Sequence, residues 1–144
     1  MSLLQKFIDR VDYDSYEDLY ENFKIHIPDN FNFAYDVVDD YAQNDPKKVA
    51  LVWCDDNDER HSFTFKDISV ASNRTANFLV EQGIQKGDRV QLMLRRRYEF
   101  WFFLLALHRI GAIAVPATNM LTSEDLEYRF HAADIKMVVT YDDP

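Results

Sequence analysis

Three largely apolar runs in the second half of this chain are separated by stretches with helical periodicity. They are "RVQLML" (89–94), "AIAVP" (112–116) and "KMVVTY" (136–141). The intervening stretches are too long for hairpins, and they carry apolar residues at three- and four-residue spacings. Strand, helix, strand in this order is the pattern of crossover connections and a parallel sheet. Strands of such sheets read as continuous apolar runs because helices cover both faces. Val90–Leu94 and Ala112–Val115 are therefore expected as interior strands. A helix over 98–110, apolar nearly all round, is expected between the sheet and a further layer. Trp101, Phe102 and Phe103 on it read as core.

The preceding residues add a different motif. "KVALVWCDD" (48–56) is a strand, "NDE" a turn and "RHSFTF" (60–65) a second strand, which together make a β-hairpin. A helix follows over 64–84, with Ile68, Ala71, Thr75, Phe78 and Leu79 at helical spacing and Gly83 just past its end. Two further helices lie upstream. One spans 14–24, with Tyr16, Leu19, Tyr20 and Phe23 on one face, Ser15 as cap and Asp18 as the partner in a weak capping box. The other spans 33–45, with Val37, Val38 and Tyr41 inward. A last helix, 123–133, is capped by Thr122 or Ser123. The order ααββαβαβαβ gives an α/β fold: a β-hairpin followed by alternating β/α units and a mainly parallel sheet. Residues 1–32 read as an acidic helical arm and 33–144 as the sheet-bearing part.

The formal net charge of −9 is carried by the first 60 residues, which hold 15 acidic and 6 basic side chains; the remainder is balanced. An acidic surface repels phosphate backbones, so general nucleic-acid binding is not expected. The single cysteine, Cys54, excludes an internal disulfide and any multi-cysteine metal site. It fits a reducing, cytoplasmic setting. The N-terminus lacks the apolar stretch of a signal peptide. The longest apolar run, Phe100–Leu107, is far short of the roughly 20 residues a membrane span requires.

Candidate chemistry is sparse. The glycines number three, Gly83, Gly87 and Gly111, and each sits at a helix end or turn. None remains for a phosphate-cradling loop, and neither common glycine-rich nucleotide motif occurs. His26, His61, His108 and His131 are scattered, with no metal-ligand spacing. Ser62, Ser69, Ser72 and Ser123 lack the context of a hydrolase nucleophile. The adjacent pairs Asp39/Asp40 and Asp55/Asp56 project apart and read as solvated faces. Arg95, Arg96 and Arg97 lie at the carboxyl end of a strand, the edge where open α/β sheets bind ligands. They either satisfy strand-end carbonyls and pair with neighbours such as Glu99 or the acidic arm, or they hold a ligand phosphate.

The residues also carry a resemblance. Thr64-Phe65-Lys66-Asp67-Ile68 leads into a helix bearing Ser72, Asn73 and Arg74; Gly83-Ile84 is followed by Lys86-Gly87-Asp88-Arg89-Val90. Then come Leu107-His108-Arg109-Ile110-Gly111-Ala112 and Val115-Pro116-Ala117. Over roughly 28–144 this combination resembles the N-terminal region of AMP-forming acyl-CoA synthetases, members of the adenylate-forming superfamily that includes firefly luciferase. "MLRRRYEFW" leans toward the medium-chain acid branch.

The resemblance implies that the intact enzyme uses ATP, Mg²⁺ and CoA to convert a carboxylic acid, medium-chain or similar, into an acyl-CoA by way of an acyl-adenylate. It further implies that the family's phosphate loop, Thr-Glu motif, ribose-binding Asp and C-terminal lysine lie beyond Pro144. These 144 residues are then an N-terminal fragment with no catalytic residues and no metal ligands, expected to be inactive alone, to hold no cofactor and to self-associate. One element carries over: the loop Thr118-Asn119-Met120-Leu121 matches a loop that borders CoA, which makes Met120 the candidate CoA-proximal residue. The alternative is a free-standing binding or interaction module that reuses this subdomain.

Overall fold

In a computed structural model of the chain, which describes residues 3–142, two compact units form: residues 1–32 and 33–144. The first holds a short 3₁₀ turn, Leu3–Lys6, and helix α1, Tyr16–Asn22. Ser15 caps α1 by accepting the Asp18 N–H (3.2 Å). The capping box does not close on Ser15. The Asp18 carboxylate instead accepts from the Asp14 N–H (2.9 Å) and pairs with Arg10. The expected apolar face of α1 is not buried: Tyr16, Leu19, Tyr20 and Phe23 are all exposed.

The larger unit opens with a π-helical turn, Ala34–Asp39, that runs directly into helix α2, Asp40–Asn44. Strands β1 (Val49–Cys54) and β2 (Arg60–Thr64) pair antiparallel as the expected hairpin. Helix α3 spans Phe65–Glu81 and begins at a closed capping box. Thr64 Oγ1 accepts the Asp67 N–H, and the Asp67 carboxylate accepts the Thr64 N–H. Strand β3 (Arg89–Met93), helix α4 (Glu99–Ile110), strand β4 (Ile113–Pro116), helix α5 (Ser123–Ala132) and strand β5 (Ile135–Thr140) complete it. Thr122, not Ser123, caps α5. The three later strands form a parallel sheet in the order β4–β3–β5.

Two apolar clusters meet across α4. Ala106 and Leu107 pack with Ala76, Leu79, Val90 and Leu92 toward the sheet. Leu105 and Phe102 pack with Ala34, Val38, Ile68 and Phe63 on the other side. The layered placement of α4 thus holds, although Trp101 departs from the expected core and is 46% exposed. The expectation of strands covered on both faces holds only for the central strand. Ile113 on β4 and Val138 on β5 are exposed, because α3 and α4 cover one face and α5 contributes no buried residue. Gly111 closes α4 with φ of 70°, a left-handed conformation that glycine adopts at least cost. A Cβ there would lie 3.0 Å from the Lys86 side chain.

A polar seam binds the helices. Arg109, its side chain 2% exposed, donates from both terminal nitrogens to the Asp39 carboxylate (2.7 Å each) and from Nε to Ser72 Oγ (3.0 Å). Ser69 Oγ donates to the same carboxylate (2.6 Å), and the Tyr35 ring lies 5.1 Å from the guanidinium carbon. Asp39 is therefore not a solvated face. It ends the π-helical turn, whose wider winding changes the register of the side chains that follow, and it meets Arg109 across the helix interface. Burial opposes ionisation of Asp39, but hydrogen bonds from Arg109 and Ser69 outweigh it and hold the carboxyl below its ordinary range. The seam also turns α3. Its buried residues are Ile68, Ser69, Ser72, Ala76 and Leu79, while Phe78, expected inward, is 48% exposed.

Candidate functional site

The carboxyl ends of β3, β4 and β5 open into the cleft that sequence reasoning assigns to ligand binding in this fold type. β3 ends in a tight turn closed by the Arg97 N–H donating to the Leu94 carbonyl (3.0 Å). Arg95 follows the strand with φ of 52°. A left-handed conformation costs a non-glycine residue roughly 1–3 kcal/mol, and such strain concentrates at binding and catalytic sites. The turn leaves Arg95, Arg96 and Arg97 exposed at the mouth of the sheet.

The β1–β2 hairpin supplies the facing wall. Trp53 donates its indole N–H to the Arg96 carbonyl (2.6 Å) and meets Tyr98 edge-on at 5.3 Å. Phe63 packs against Tyr98 and Phe102 at 5.0 and 5.5 Å. These aromatic contacts hold the hairpin against the start of α4 and bring its tip over the end of β3. The result is an open cleft of about 840 Å³, a volume within the usual range for small-molecule sites. Arg95–Arg97 form one side, Cys54, Asp55, Asp56 and Glu59 the other, with Asn119, Met120 and Tyr141 along the rim.

The charges within the cleft are segregated. Asp55 is committed to its own turn, where it accepts the N–H groups of Asn57 (2.9 Å) and Glu59 (2.8 Å) and the Asn57 amide (3.1 Å). Desolvation works against its ionised form, and these hydrogen bonds overcome that to hold its carboxyl below the ordinary range. Glu59 faces His61 at 2.7 Å. Arg97 stacks over the Tyr141 ring at 5.2 Å, and neither Arg96 nor Arg97 makes an ion pair among the described residues. For these two arginines the alternative of pairing with Glu99 is therefore not realised.

Met120 sits in the loop after β4, 82% exposed, its N–H donating to Thr118 Oγ1 (3.3 Å). The structure thus brings Met120 and the arginine triplet, singled out separately, into one cleft. Sequence reasoning missed the hairpin wall, because "CDDNDE" reads as an ordinary polar turn and only the tertiary docking of Trp53 places it opposite the strand ends. The histidines remain apart. His108 lies on α4, where burial lowers its pKa, and among the described residues no group of three His, Cys, Asp or Glu could hold a metal ion. No helix among them is long and apolar enough to cross a membrane.

Comparison with known proteins adds identity to this geometry. Residues 38–144 match the family described as AMP-binding enzyme. The chain is 34% identical over 136 residues to the mitochondrial acyl-coenzyme A synthetase ACSM3 of Mus musculus, covering 90% of this chain and 23% of that protein. It is 35% identical over 119 residues to ACSM4 of Homo sapiens, covering 78% and 20%. Among solved structures it resembles the acyl-CoA synthetase of Brucella canis, with a TM-score of 0.71 and 32% identity over 76% of this chain and 20% of that one. It also resembles the inhibitor-bound N-terminal domain of FACL13 from Mycobacterium tuberculosis, with a TM-score of 0.68 and 28% identity over 76% and 26%. The chain therefore spans less than a quarter of the length of the acyl-coenzyme A synthetases it matches.

Proposed function

Because the chain belongs to the AMP-binding enzyme family, we propose that the full-length protein carrying these residues is an AMP-forming acid–CoA ligase acting on a medium-chain or similar carboxylic acid. The observation that carries this reading is the 34% identity to an acyl-coenzyme A synthetase across nine-tenths of the chain. In the reaction, the substrate carboxylate attacks the α-phosphorus of ATP and pyrophosphate leaves, giving an acyl-adenylate. The CoA thiolate then attacks the acyl carbon and AMP leaves, giving the thioester.

Two parts of that chemistry find no fit in these residues. All three glycines are spent on helix ends and turns, so no backbone loop here cradles the ATP phosphates. Among the described residues no acidic cluster suits Mg²⁺, the ion that would neutralise those phosphates. No step is assigned to residues of this chain through either. What the chain contributes is a folded platform whose strand ends form one wall of a ligand cleft, with Met120 bordering the CoA path.

The test is isotope exchange between pyrophosphate and ATP, followed by thioester formation. The full-length protein should show exchange that depends on added acid and should form acyl-CoA, whereas residues 1–144 alone should show neither. Acid-dependent exchange by the 144-residue chain would overturn the division of labour, and acid-independent ATP turnover by the full-length protein would overturn the reading itself.

A further inference from the structure

We propose that two copies of the 144-residue chain pair through β5, antiparallel across a twofold axis perpendicular to the sheet, so that two three-stranded sheets join into one. The inference is independent of the ligase reading. Among the described residues β5 ends the sheet on one side and β4 on the other. An open edge presents N–H and C=O groups that a further strand can take up. The two edges are unequal. β4 has 4 residues and ends in Pro116, which has no N–H to offer. β5 has 6 residues and contains neither proline nor glycine, so it is the edge that accepts a second strand.

The burial of β5 restricts the register. Met137 and Val139 pack into the core cluster on one face of the sheet, while Lys136, Val138 and Thr140 are exposed on the other. A perpendicular twofold keeps the core faces of both copies on one side. Odd residues then meet odd and even meet even, and the axis passes through a single residue. Centring on Lys136 opposes two ammonium groups, and centring on Val138 opposes Asp134 to Asp142, both unfavourable. Centring on Ile135 runs the partner strand into the end of α5 at Ala132. Centring on Met137 leaves Lys136 opposite Val138. Centring on Val139 places Lys136 of each copy opposite Asp142 of the other, with Val138 opposite Thr140 and Met137 opposite Tyr141.

This last register fits the charges. Neither Lys136 nor Asp142 makes an ion pair among the described residues. The chain beyond β5 is already held beside β3: Thr140 Oγ1 donates to the Met93 carbonyl (3.5 Å), and the Arg97 guanidinium lies 5.2 Å from the Tyr141 ring. A lysine on an edge strand ordinarily keeps other strands away; here a carboxylate answers it on both sides of the axis. Exposed ion pairs add little affinity, so the two Lys136–Asp142 pairs select the register while backbone bonds and the valines supply the association. A later segment of the full-length protein that laid its own strand on β5 would compete for this edge, so the experiment uses the 144-residue chain.

Within one copy, Lys136 and Asp142 lie roughly 20 Å apart along an extended strand, too far for a zero-length carbodiimide link between ammonium and carboxylate. A Lys136–Asp142 isopeptide therefore forms only between copies. At tens of micromolar and low salt the chain should sediment as a dimer, and peptide mapping of the cross-linked dimer should show this bond. Lys136→Asp alone and Asp142→Lys alone each oppose like charges twice across the axis and should raise the dimer dissociation constant about tenfold. The charge swap Lys136→Asp/Asp142→Lys should return it to within about twofold of wild type. Both side chains are exposed, so the variants keep the core; an unchanged far-ultraviolet circular dichroism spectrum verifies this. A monomer at that concentration, a cross-linked dimer lacking the Lys136–Asp142 bond, or a double swap no tighter than the singles would each overturn the proposal.

Discussion

Replacing Arg109 with methionine should be among the most destabilising single changes in this chain. The side chain is 2% exposed and Asp39, its partner, 20%. The substitution removes two 2.7 Å bonds to the carboxylate and the 3.0 Å bond to Ser72, and leaves a partly buried anion without its cation. Breaking a buried pair from one side typically costs about 3–5 kcal/mol. Asp39 keeps the Ser69 hydroxyl at 2.6 Å and some access to water, so the lower end applies, about 3 kcal/mol. For a chain of this size that lowers Tm by roughly 10 °C.

The double variant Arg109→Met/Asp39→Leu should recover most of the loss, since well-packed apolar pairs can replace a buried ion pair at little cost. The sign with pH follows from the depressed Asp39 carboxyl. Its contribution is fully present above the ordinary aspartate range and disappears as pH falls through the lowered folded value, so wild type and Arg109→Met should converge in acid. Urea unfolding of the wild type, the two single variants Arg109→Met and Asp39→Leu, and the double variant, at neutral pH and near pH 3, supplies the measurement. A single-variant loss below about 1 kcal/mol, or a double variant as unstable as the sum of the singles, would refute the account of the seam as a coupled pair.

Thr64→Ala should cost about 1 kcal/mol by opening the capping box of α3; Asp67, held low by its side-chain and backbone bonds to Thr64, makes that deficit shrink as pH falls through its folded value, and urea titration at two pH values reads it. The 144-residue chain should self-associate, because Ile113 and Val138 leave apolar surface exposed on a sheet with open edges; sedimentation as a monomer at micromolar concentration would contradict this. Duplex DNA at about 0.15 M salt should not bind with micromolar affinity, since the three clustered arginines sit on a chain of net charge −9; a fluorescence-anisotropy titration decides it.

The sequence was legible where one principle dominated. Largely apolar runs at 89–94, 112–116 and 136–141 marked the parallel strands, and the Thr64–Ile68 turn into a helix is closed in the structure as a full capping box of Thr64 and Asp67. It misled where polar residues are buried for each other. Ser69, Ser72 and Arg109 look like surface positions when apolarity alone chooses the inward face, so the spacing places Phe78 inward with Ile68 and Leu79, whereas the seam turns the buried stripe toward Ser72 and Ala76 and leaves Phe78 exposed. Asp39 was misread for the same reason, compounded by a π-helical winding that no local pattern announces. In the cleft, the arginine edge was visible from the strand that precedes it. The hairpin wall was not, because it depends on Trp53 reaching the Arg96 carbonyl across 43 positions of sequence.

The strand order carries a consequence for how the chain assembles. β3 stands at the centre, yet it comes first of the three, and its neighbour on one side is the last strand described. Arg89 and Asp134, 45 residues apart, meet where β5 begins. Closing a loop of that length costs on the order of 3 kcal/mol of chain entropy before any pairing compensates, whereas α3 and α4 already flank β3 in sequence. During synthesis the helices and β4 can gather around β3 while β5 is still emerging, and the side of β3 awaiting it remains an unpaired parallel edge. Late addition of β5 makes it the slow, long-range step. In pulse-labelled refolding, amides of Val90 and Leu92 that face β4 should gain protection before those on β5 do.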